Sequence, residues 1–208
     1  MKSMGKKTAI FGGTFNPIHS AHLAMARLAA DRLGLDRVLF IPAGRPPHKE
    51  ASTPYEDRYR MVELACAADR RFEPSRLEDG NETSYSIHTI ERVKAMERMK
   101  ATGDMKATGR IKADDAGPLY FIVGSDAFAE ITSWYRWQDV IAAVEFIVVA
   151  RPGHPIHPPP GANVHRLDDV ALPVSSSEIR RALARGEVSP ELPAAVAEYI
   201  QAHRLYRD

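Results

Sequence analysis

The chain has 208 residues, 44% of them hydrophobic, which is enough to bury one sizeable core. Its 28 Lys and Arg residues nearly balance its 27 Asp and Glu residues, so there is no strong basic field to attract nucleic acid, and an anion must be bound at a local site. The longest apolar stretch, residues 140–150, is interrupted by Glu145 and is too short to span a bilayer. A cytoplasmic protein with no membrane or nucleic-acid partner is expected.

Short apolar runs alternate with amphipathic segments along most of the chain. The predicted elements, in chain order, are strand 8–11, helix 21–33, strand 38–41, helix 53–68, strand 72–77, helix 85–99, strand 119–123, strand 146–150, a helix opened by residues 175–178 and closed by Gly186, and helix 193–203. Continuous apolar strands alternating with helices predict an α/β fold with a Rossmann-like parallel sheet covered on both faces. Ligands of such sheets bind beyond the carboxyl ends of the strands.

Some elements carry local signals. Thr53 is predicted to cap the second helix, with Pro54 at its first position. The only cysteine, Cys66, cannot form an internal disulfide and is predicted to be buried in that helix, as suits a reducing compartment. Pro74 interrupts the third strand, which weakens its assignment.

Two polar stretches are predicted to be loops. The sequence MKATG occurs at residues 99–103 and again at 105–109, within a charged stretch. This duplication is too short for a repeat fold, so residues 100–116 are predicted to be a flexible insertion in a single domain spanning 1–208. Residues 154–161 are rich in proline and are predicted to form a semi-rigid loop.

The turn after the first strand has the composition of a phosphate site. Gly12 and Gly13 allow close approach of the backbone to a ligand, and the next helix starts near His19, so its positive end faces the same space. His19 and His22 share one face of that first turn and could donate hydrogen bonds to a polyphosphate. A purely structural glycine turn is the simpler alternative, and a metal site is another, although no third ligand is obvious nearby.

Residues 12–22, GGTFNPIHSAH, closely resemble the GGTFDPxHxGH signature of the nucleotidylyltransferase superfamily. His19 and His22 fall on the two histidines of that signature. Asn16 stands where the signature has Asp, and Ala21 where it has Gly. Asn can still accept a hydrogen bond in a turn, and Ala21 adds one methyl group, so neither change removes a group that performs chemistry.

A second stretch, residues 174–180 (VSSSEIR), resembles the ISSTxIR signature of the same superfamily. Physically it is a helix N-terminus with hydroxyls in its first turn and Arg180 one turn later. Such a turn suits a leaving pyrophosphate, while a well-capped surface helix is the alternative.

Further stretches resemble the nicotinate mononucleotide branch of this superfamily. They are residues 41–49 (IPAGRPPHK), 83–89 (TSYSIHT), 122–126 (IVGSD), 134–135 (WY) and 151–153 (RPG). His88 replaces the Asp usual in that branch. The resemblance runs from about residue 7 to residue 207 and omits only the insertion.

The resemblance implies the following site residues. Those expected to act in catalysis are His22, His19 and Arg180. Those expected to bind ATP are Gly12, Gly13, Thr14, Phe15, Gly124, Asp126, Arg151, Ser176 and Ser177. Those expected to bind the mononucleotide are Lys49, Ser86, Trp134 and Tyr135. Core packing is the alternative for Trp134, and Arg58 is a weaker phosphate candidate whose alternative is an exposed helix charge.

The resemblance also implies the reaction. A phosphate oxygen of nicotinate mononucleotide would attack the α-phosphorus of ATP and expel pyrophosphate, giving nicotinate adenine dinucleotide. That phosphate is largely ionised at pH 7, so no general base is required. Magnesium is expected to arrive with ATP, and no dedicated protein metal site is expected.

Other functions remain open from sequence. The acceptor could instead be nicotinamide mononucleotide or phosphopantetheine. The chain could be a non-catalytic nucleotide-binding protein, for which Asn16 and His88 leave an opening, or a metal-dependent hydrolase built on His19 and His22. A homo-oligomer is also open.

Overall fold

The computed structural model describes residues 6–47, 51–80, 82–102, 117–150, 155–168 and 174–207. Within these residues the strands are β1 (Thr8–Gly13), β2 (Arg37–Pro42), β3 (Phe72–Pro74), β4 (Leu119–Gly124), β5 (Glu145–Val149) and β6 (Asn163–Leu167). The helices are α1 (Ser20–Leu33), α2 (Tyr55–Cys66), α3 (Ser86–Thr102), α4 (Ser125–Ala129), α5 (Trp137–Ala143), α6 (Ser176–Ala184) and α7 (Ala194–Ala202), with a 3-10 turn at Ile131–Ser133.

The strands form one parallel sheet in the order β3-β2-β1-β4-β5-β6. This confirms the predicted Rossmann-like α/β fold. The chain builds outward from β1 through β2 to β3 and then returns to the other side of β1 with β4. The strand order therefore reverses between β1 and β4, and ligands of such folds bind beyond the carboxyl ends of the strands at a reversal of this kind.

The sheet is buried on both faces because its central strands are apolar at most positions, and Thr8 and Arg37 at the starts of β1 and β2 are themselves buried. Alternate residues of one strand enter different cores: Ala9 and Phe11 of β1 pack with α1, α2 and α7, whereas Ile10 packs with α3 and α5. This two-residue alternation explains why continuous apolar runs, rather than alternating ones, mark the strands in the sequence.

Most predicted boundaries hold to within a few residues, but α2 begins later than expected. Pro54 is its N-cap and Tyr55 its first residue, so the assignment of Thr53 as N-cap is wrong. The reason is that Thr53 is buried and its carbonyl accepts a hydrogen bond from Arg58 Nε at 3.1 Å. The helix ends at Cys66, which is buried as predicted, and burial raises the pKa of its thiol to about 12.

Other differences lie at weaker elements. β3 ends at Pro74 and does not reach residue 77, because the chain then enters a turn in which the Asp79 N–H donates to the Arg76 carbonyl at 2.9 Å. β6, α4 and α5 were not predicted. β6 is an edge strand that pairs only with β5 and exposes several polar side chains, so its sequence lacks an apolar run.

The loop predictions are tested only in part. Residues 100–102 continue α3 as helix, and residues 103–116 lie outside the described part of the chain. Residues 155–161 contain neither helix nor strand, as expected of the proline-rich loop. No helix among the described residues is both long enough and apolar enough to cross a membrane.

Candidate active site

The loop between β1 and α1 lies at the reversal point of the sheet. A Cβ atom on Gly13 would lie 3.1 Å from the Phe15 ring, so glycine lets that buried ring fold back against the strand end. Phe15 itself has a φ of 47°, a left-handed conformation rare for a bulky residue. The backbone amides of Thr14 and Phe15 have no hydrogen-bond partner in the described part of the chain.

His19 and His22 form a close pair with tilted rings at the start of α1. His19 is the N-cap, and its backbone N–H donates to Nδ1 of His22 at 3.2 Å. The two ring centroids are 3.8 Å apart, and the His22 ring meets the edge of Phe15 at 5.1 Å. Because Nδ1 of His22 accepts a hydrogen bond, its neutral ring carries the proton on Nε2, which makes that atom a donor.

Burial keeps both imidazoles neutral. It lowers the pKa of His19 to about 4, against the opposing attraction of Glu191. It also holds the pKa of His22 well below its ordinary value, and repulsion from His19 lowers it further. Nδ1 of His19 is buried and has no partner among the described residues. Such an unsatisfied polar atom is costly unless a ligand or water completes it, which is typical of a binding site.

The start of α6 packs directly against this loop. Arg180 Nη1 donates to the backbone oxygen of Asn16 at 2.6 Å, and Arg180 Nη2 donates to Ser177 Oγ at 3.1 Å. The Ser176 hydroxyl donates to the backbone oxygen of Pro17 at 3.1 Å. The structure thus brings the two predicted signature stretches together, so that two helix N-termini, each with a positive dipole end, adjoin one loop.

The helix start predicted at residues 175–178 is confirmed and forms a capping box. Ser175 is the N-cap, and its hydroxyl oxygen accepts from the backbone N–H of Glu178 at 3.2 Å. The Glu178 carboxylate accepts in return from the Ser175 backbone N–H at 3.2 Å. This reciprocal pair fixes the first turn and leaves the Ser176 and Ser177 hydroxyls to face the β1–α1 loop or solvent.

Asn16 ties this loop to two distant segments. Its Oδ1 accepts from the Tyr206 hydroxyl at 2.7 Å, and its Nδ2 donates to Ser52 Oγ at 3.1 Å. An amide supplies both the acceptor and the donor, so the replacement of Asp by Asn is accommodated by its surroundings. Tyr206, near the end of the chain, was not predicted to take part in the site.

Arg58 is not an exposed helix charge. Its side chain is 1% exposed, and its guanidinium donates to backbone carbonyls only: Thr14 at 2.9 Å, Ala43 at 2.7 Å, Thr53 at 3.1 Å and Gly44 at 3.3 Å. It therefore ties the β1–α1 loop to the loop after β2. With its donors so engaged, its sequence-based role as a phosphate ligand is not supported.

The other predicted residues lie at the end of β4 and in the segment that follows α4. Gly124 ends β4 and is the N-cap of α4, and Asp126 is exposed on that helix. Trp134 is partly buried and packs edge-to-face on Phe121 at 5.9 Å, as its core-packing alternative expected. Tyr135 is 51% exposed and is the accessible ring of the pair.

Tyr135 belongs to an aromatic cluster at the start of α3. Its ring centroid lies 4.6 Å from Tyr85 and 5.9 Å from His88, and Ser86 is the first residue of that helix. Tyr85 and His88 also line a cavity of about 330 Å³, a volume suited to a small polar ligand. Lys49 and Arg151 lie outside the described residues, so their predicted roles are not tested.

Sequence reasoning missed two features of the site. The contact of Glu191 has no local sequence pattern, whereas the burial of Arg58 has one that was overlooked. Glu191 binds the start of α1, accepting from the Ser20 amide at 2.8 Å and the Ser20 hydroxyl at 2.7 Å, although 171 positions separate them. Arg58 had a signal: it shares the spacing i, i+3, i+4, i+7 with buried Met61, Val62 and Ala65, which places it on the buried stripe of α2.

No group of three or more His, Cys, Asp or Glu side chains in the described ranges is arranged to hold a metal ion. The metal-site alternative for His19 and His22 therefore lacks a third ligand in that part of the chain.

Comparison with known proteins agrees with this geometry. The family model described as cytidylyltransferase-like matches residues 10–182. A probable nicotinate-nucleotide adenylyltransferase of Solibacter usitatus is 55% identical over 96% of this chain and 99% of its own length. A protein of the same description from Thermus thermophilus is 39% identical over 97% of this chain and 100% of its own.

Solved structures show the same fold. Nicotinic acid mononucleotide adenylyltransferase of Plasmodium falciparum, complexed with NaAD, superposes with a TM-score of 0.76 over 97% of both chains at 19% identity. With relatives this similar over nearly their whole length, the chain belongs to the nicotinate-nucleotide adenylyltransferase family of cytidylyltransferase-like proteins.

Proposed function

We propose that this chain transfers AMP from ATP to nicotinate mononucleotide, giving nicotinate adenine dinucleotide and pyrophosphate. The observation that carries the proposal is the contact of Arg180 and Ser176 with the loop that precedes His19 and His22. It gathers amide, hydroxyl, imidazole and guanidinium donors around one crevice, as transfer from a triphosphate requires. The names of the relatives support the choice of substrates.

On the ATP side, Gly12, Gly13, Thr14 and Phe15 supply the backbone cradle. His22 Nε2–H is directed to the bridging oxygen of the transition state, and His19 to the neighbouring phosphate oxygens. Arg180 with the Ser176–Ser177 turn holds the departing β and γ phosphates. Gly124, Asp126 and Arg151 complete the nucleoside side, with Asp126 toward the ribose hydroxyls and Arg151 beside the adenine.

The chemical step needs no protein nucleophile. A phosphate oxygen of the mononucleotide attacks the α-phosphorus in line; the new P–O bond forms as the bond to the β-phosphate bridging oxygen breaks, and the electron pair leaves with pyrophosphate. The attacking phosphate has a second pKa near 6 and is largely a dianion at pH 7. Catalysis consists of positioning the two substrates and stabilising the charge that develops on the leaving oxygens.

On the acceptor side, Lys49 meets the mononucleotide phosphate, and Ser86, Trp134 and Tyr135 receive the pyridine ring. Tyr135 offers the exposed aromatic face, and its backbone N–H has no partner in the described part of the chain. A free N–H donor can be met by either oxygen of a ring carboxylate, whereas a ring amide offers only its one carbonyl oxygen.

Magnesium enters this scheme as part of the substrate, MgATP. Its preference for phosphate and water oxygens makes a dedicated protein cage unnecessary. The scheme involves neither nucleic acid nor a membrane, it suits a cytoplasmic enzyme, and it leaves a homo-oligomer open.

The experiment is a comparison of acceptors. Pyrophosphate release is measured with MgATP and nicotinate mononucleotide, nicotinamide mononucleotide or phosphopantetheine. The proposal expects the highest kcat/KM with nicotinate mononucleotide. Faster release with phosphopantetheine would reject the acceptor, and tight ATP binding without release under any condition would favour a non-catalytic nucleotide-binding protein.

A further inference from the structure

The loop after β2 meets two ionisable groups at Gly44, the buried Arg58 and the half-buried Glu78. The Gly44 carbonyl accepts from Arg58 Nη2 at 3.3 Å, and its backbone N–H faces the Glu78 carboxylate, which opposes the rise in the pKa of Glu78. A Cβ atom on residue 44 would lie 2.0 Å from the backbone oxygen of Glu78, so glycine alone permits this approach. One residue thus joins a guanidinium and a carboxylate that lie on different segments.

Glu78 extends the connection to α3. Its carboxylate accepts from the hydroxyl of Thr89, which lies buried in the first turn of that helix, and the Ser84 hydroxyl opposes the rise in the pKa of the same carboxyl. Ser84 is also paired with the loop after β2: its N–H donates to the Arg45 carbonyl at 2.9 Å, and its hydroxyl accepts from the Arg45 N–H at 3.2 Å. The loop and the helix start are therefore joined by a continuous set of hydrogen bonds.

These contacts are not expected to add much to the free energy of unfolding. Arg58 forms no ion pair in the described part of the chain and gives up its hydration for backbone carbonyls and the Tyr55 ring at 5.5 Å. Burial also raises the pKa of Glu78, so its ionised form is disfavoured despite its hydrogen bonds. Buried charges seldom add net stability, but they can fix one geometry among several.

We infer that Arg58, Gly44 and Glu78 form a latch that sets where the acceptor mononucleotide lies relative to ATP. This inference rests on the proposed function, in which Lys49 follows the latched loop and Ser86 opens the latched helix. Glu78 contacts only the acceptor side, whereas Arg58 also binds the Thr14 carbonyl on the ATP side. Both act as positioning residues, through backbone they hold in place.

The contacts predict a different kinetic effect for each residue. Glu78→Gln keeps the shape of the side chain but cannot accept all its hydrogen bonds, so KM for nicotinate mononucleotide should rise roughly 10-fold while KM for ATP stays within about twofold. Arg58→Lys loses the fork that spans both loops, so both KM values should rise and kcat should fall.

Two controls separate positioning from folding. Glu56→Gln makes the same chemical change at an exposed carboxylate paired with Arg76 and should leave all constants unchanged. Ile147→Val removes one methyl group from fully buried β5 and should lower Tm without separating the two KM values. If Glu78→Gln fails to fold, Glu78→Asp replaces it, because it keeps the charge but shortens the reach.

The inference is rejected if Glu78→Gln raises both KM values equally or leaves them unchanged. If the wild-type chain makes no dinucleotide, the proposed function fails separately, and amide hydrogen exchange still tests the latch. Faster exchange at Gly44 and Arg45 in Glu78→Gln than in Glu56→Gln would support it, and equal exchange would overturn it.

Discussion

Arg180 donates a 2.6 Å hydrogen bond to the backbone oxygen of Asn16, a residue 164 positions earlier in the sequence. This bond joins the start of α6 to the loop that precedes α1, the helix whose start carries His19 and His22. Under the proposed function, Arg180 would supply charge at the triphosphate. His19 and His22, whose pKa values are lowered by burial, would supply hydrogen bonds as neutral rings.

Removal of the Arg180 side chain should weaken catalysis far more than removal of the Arg181 side chain. Arg180→Ala is expected to lower kcat/KM for ATP by roughly 10²-fold or more, because the leaving phosphates lose a charged donor. The matched control is Arg181→Ala, since Arg181 is exposed on the same helix. Steady-state kinetics with both substrates provides the test; equal losses in the two variants would contradict the assignment.

The imidazole of His22 should contribute chiefly to turnover. His22→Ala is expected to lower kcat by roughly 10²-fold while the fold stays intact, as for loss of one preorganised donor in a transition state. Turnover, circular dichroism and Tm should be measured together, with the exposed His203→Ala as the control. Near-normal turnover in His22→Ala would remove His22 from the mechanism.

Burial of His19 makes stability depend on pH. Its folded pKa is about 4, below the ordinary histidine pKa of 6.5, so the unfolded chain takes up a proton first as pH falls. The stabilisation is therefore present above pH 6.5 and is lost progressively between pH 6.5 and 4, by about 3 kcal/mol at most. Urea unfolding of the wild type and of His19→Gln between pH 7.5 and 4.5 should show a weaker pH dependence in the variant; parallel curves would argue against burial of a neutral ring.

Gly44 should tolerate no side chain. Gly44→Ala places a methyl group against the Glu78 backbone oxygen and is expected to cost about 3 kcal/mol or more of unfolding free energy, because backbone on both sides must shift. Gly124→Ala is the control, since its Cβ would meet only the end of Met25 at an ordinary 3.8 Å. Denaturant unfolding of both variants measures the difference, and similar stabilities would be inconsistent with the close approach at Gly44.

The sequence predicted the central strands because each is an apolar run that enters two cores. It could not predict β6, whose residues Asn163–Leu167 contact a neighbouring strand on one side only and keep polar side chains exposed. Strand pairing of that kind depends on a partner elsewhere in the chain and leaves little local pattern.

The site, like the fold, has parts that the sequence predicted and parts that it could not. The two signature stretches were recognisable from their residue types, and their expected closeness is confirmed by the bonds from Arg180 and Ser176. The ties made by Glu191, Tyr206 and Glu78 join residues far apart in sequence or within irregular loops, where no periodicity indicates a contact. The sequence left Trp134 with two alternatives, ring binding and core packing. The structure shows that Trp134 packs on Phe121, whereas the neighbouring Tyr135 is exposed.

The most direct test of the central claim is phosphorus NMR of a mixture of the wild-type chain, MgATP and nicotinate mononucleotide. We expect the signals of the mononucleotide and of ATP to fall together, while the diphosphate bridge of nicotinate adenine dinucleotide and free pyrophosphate appear in equal amounts. Conversion of ATP to ADP and inorganic phosphate, with the mononucleotide left unchanged, would contradict the account.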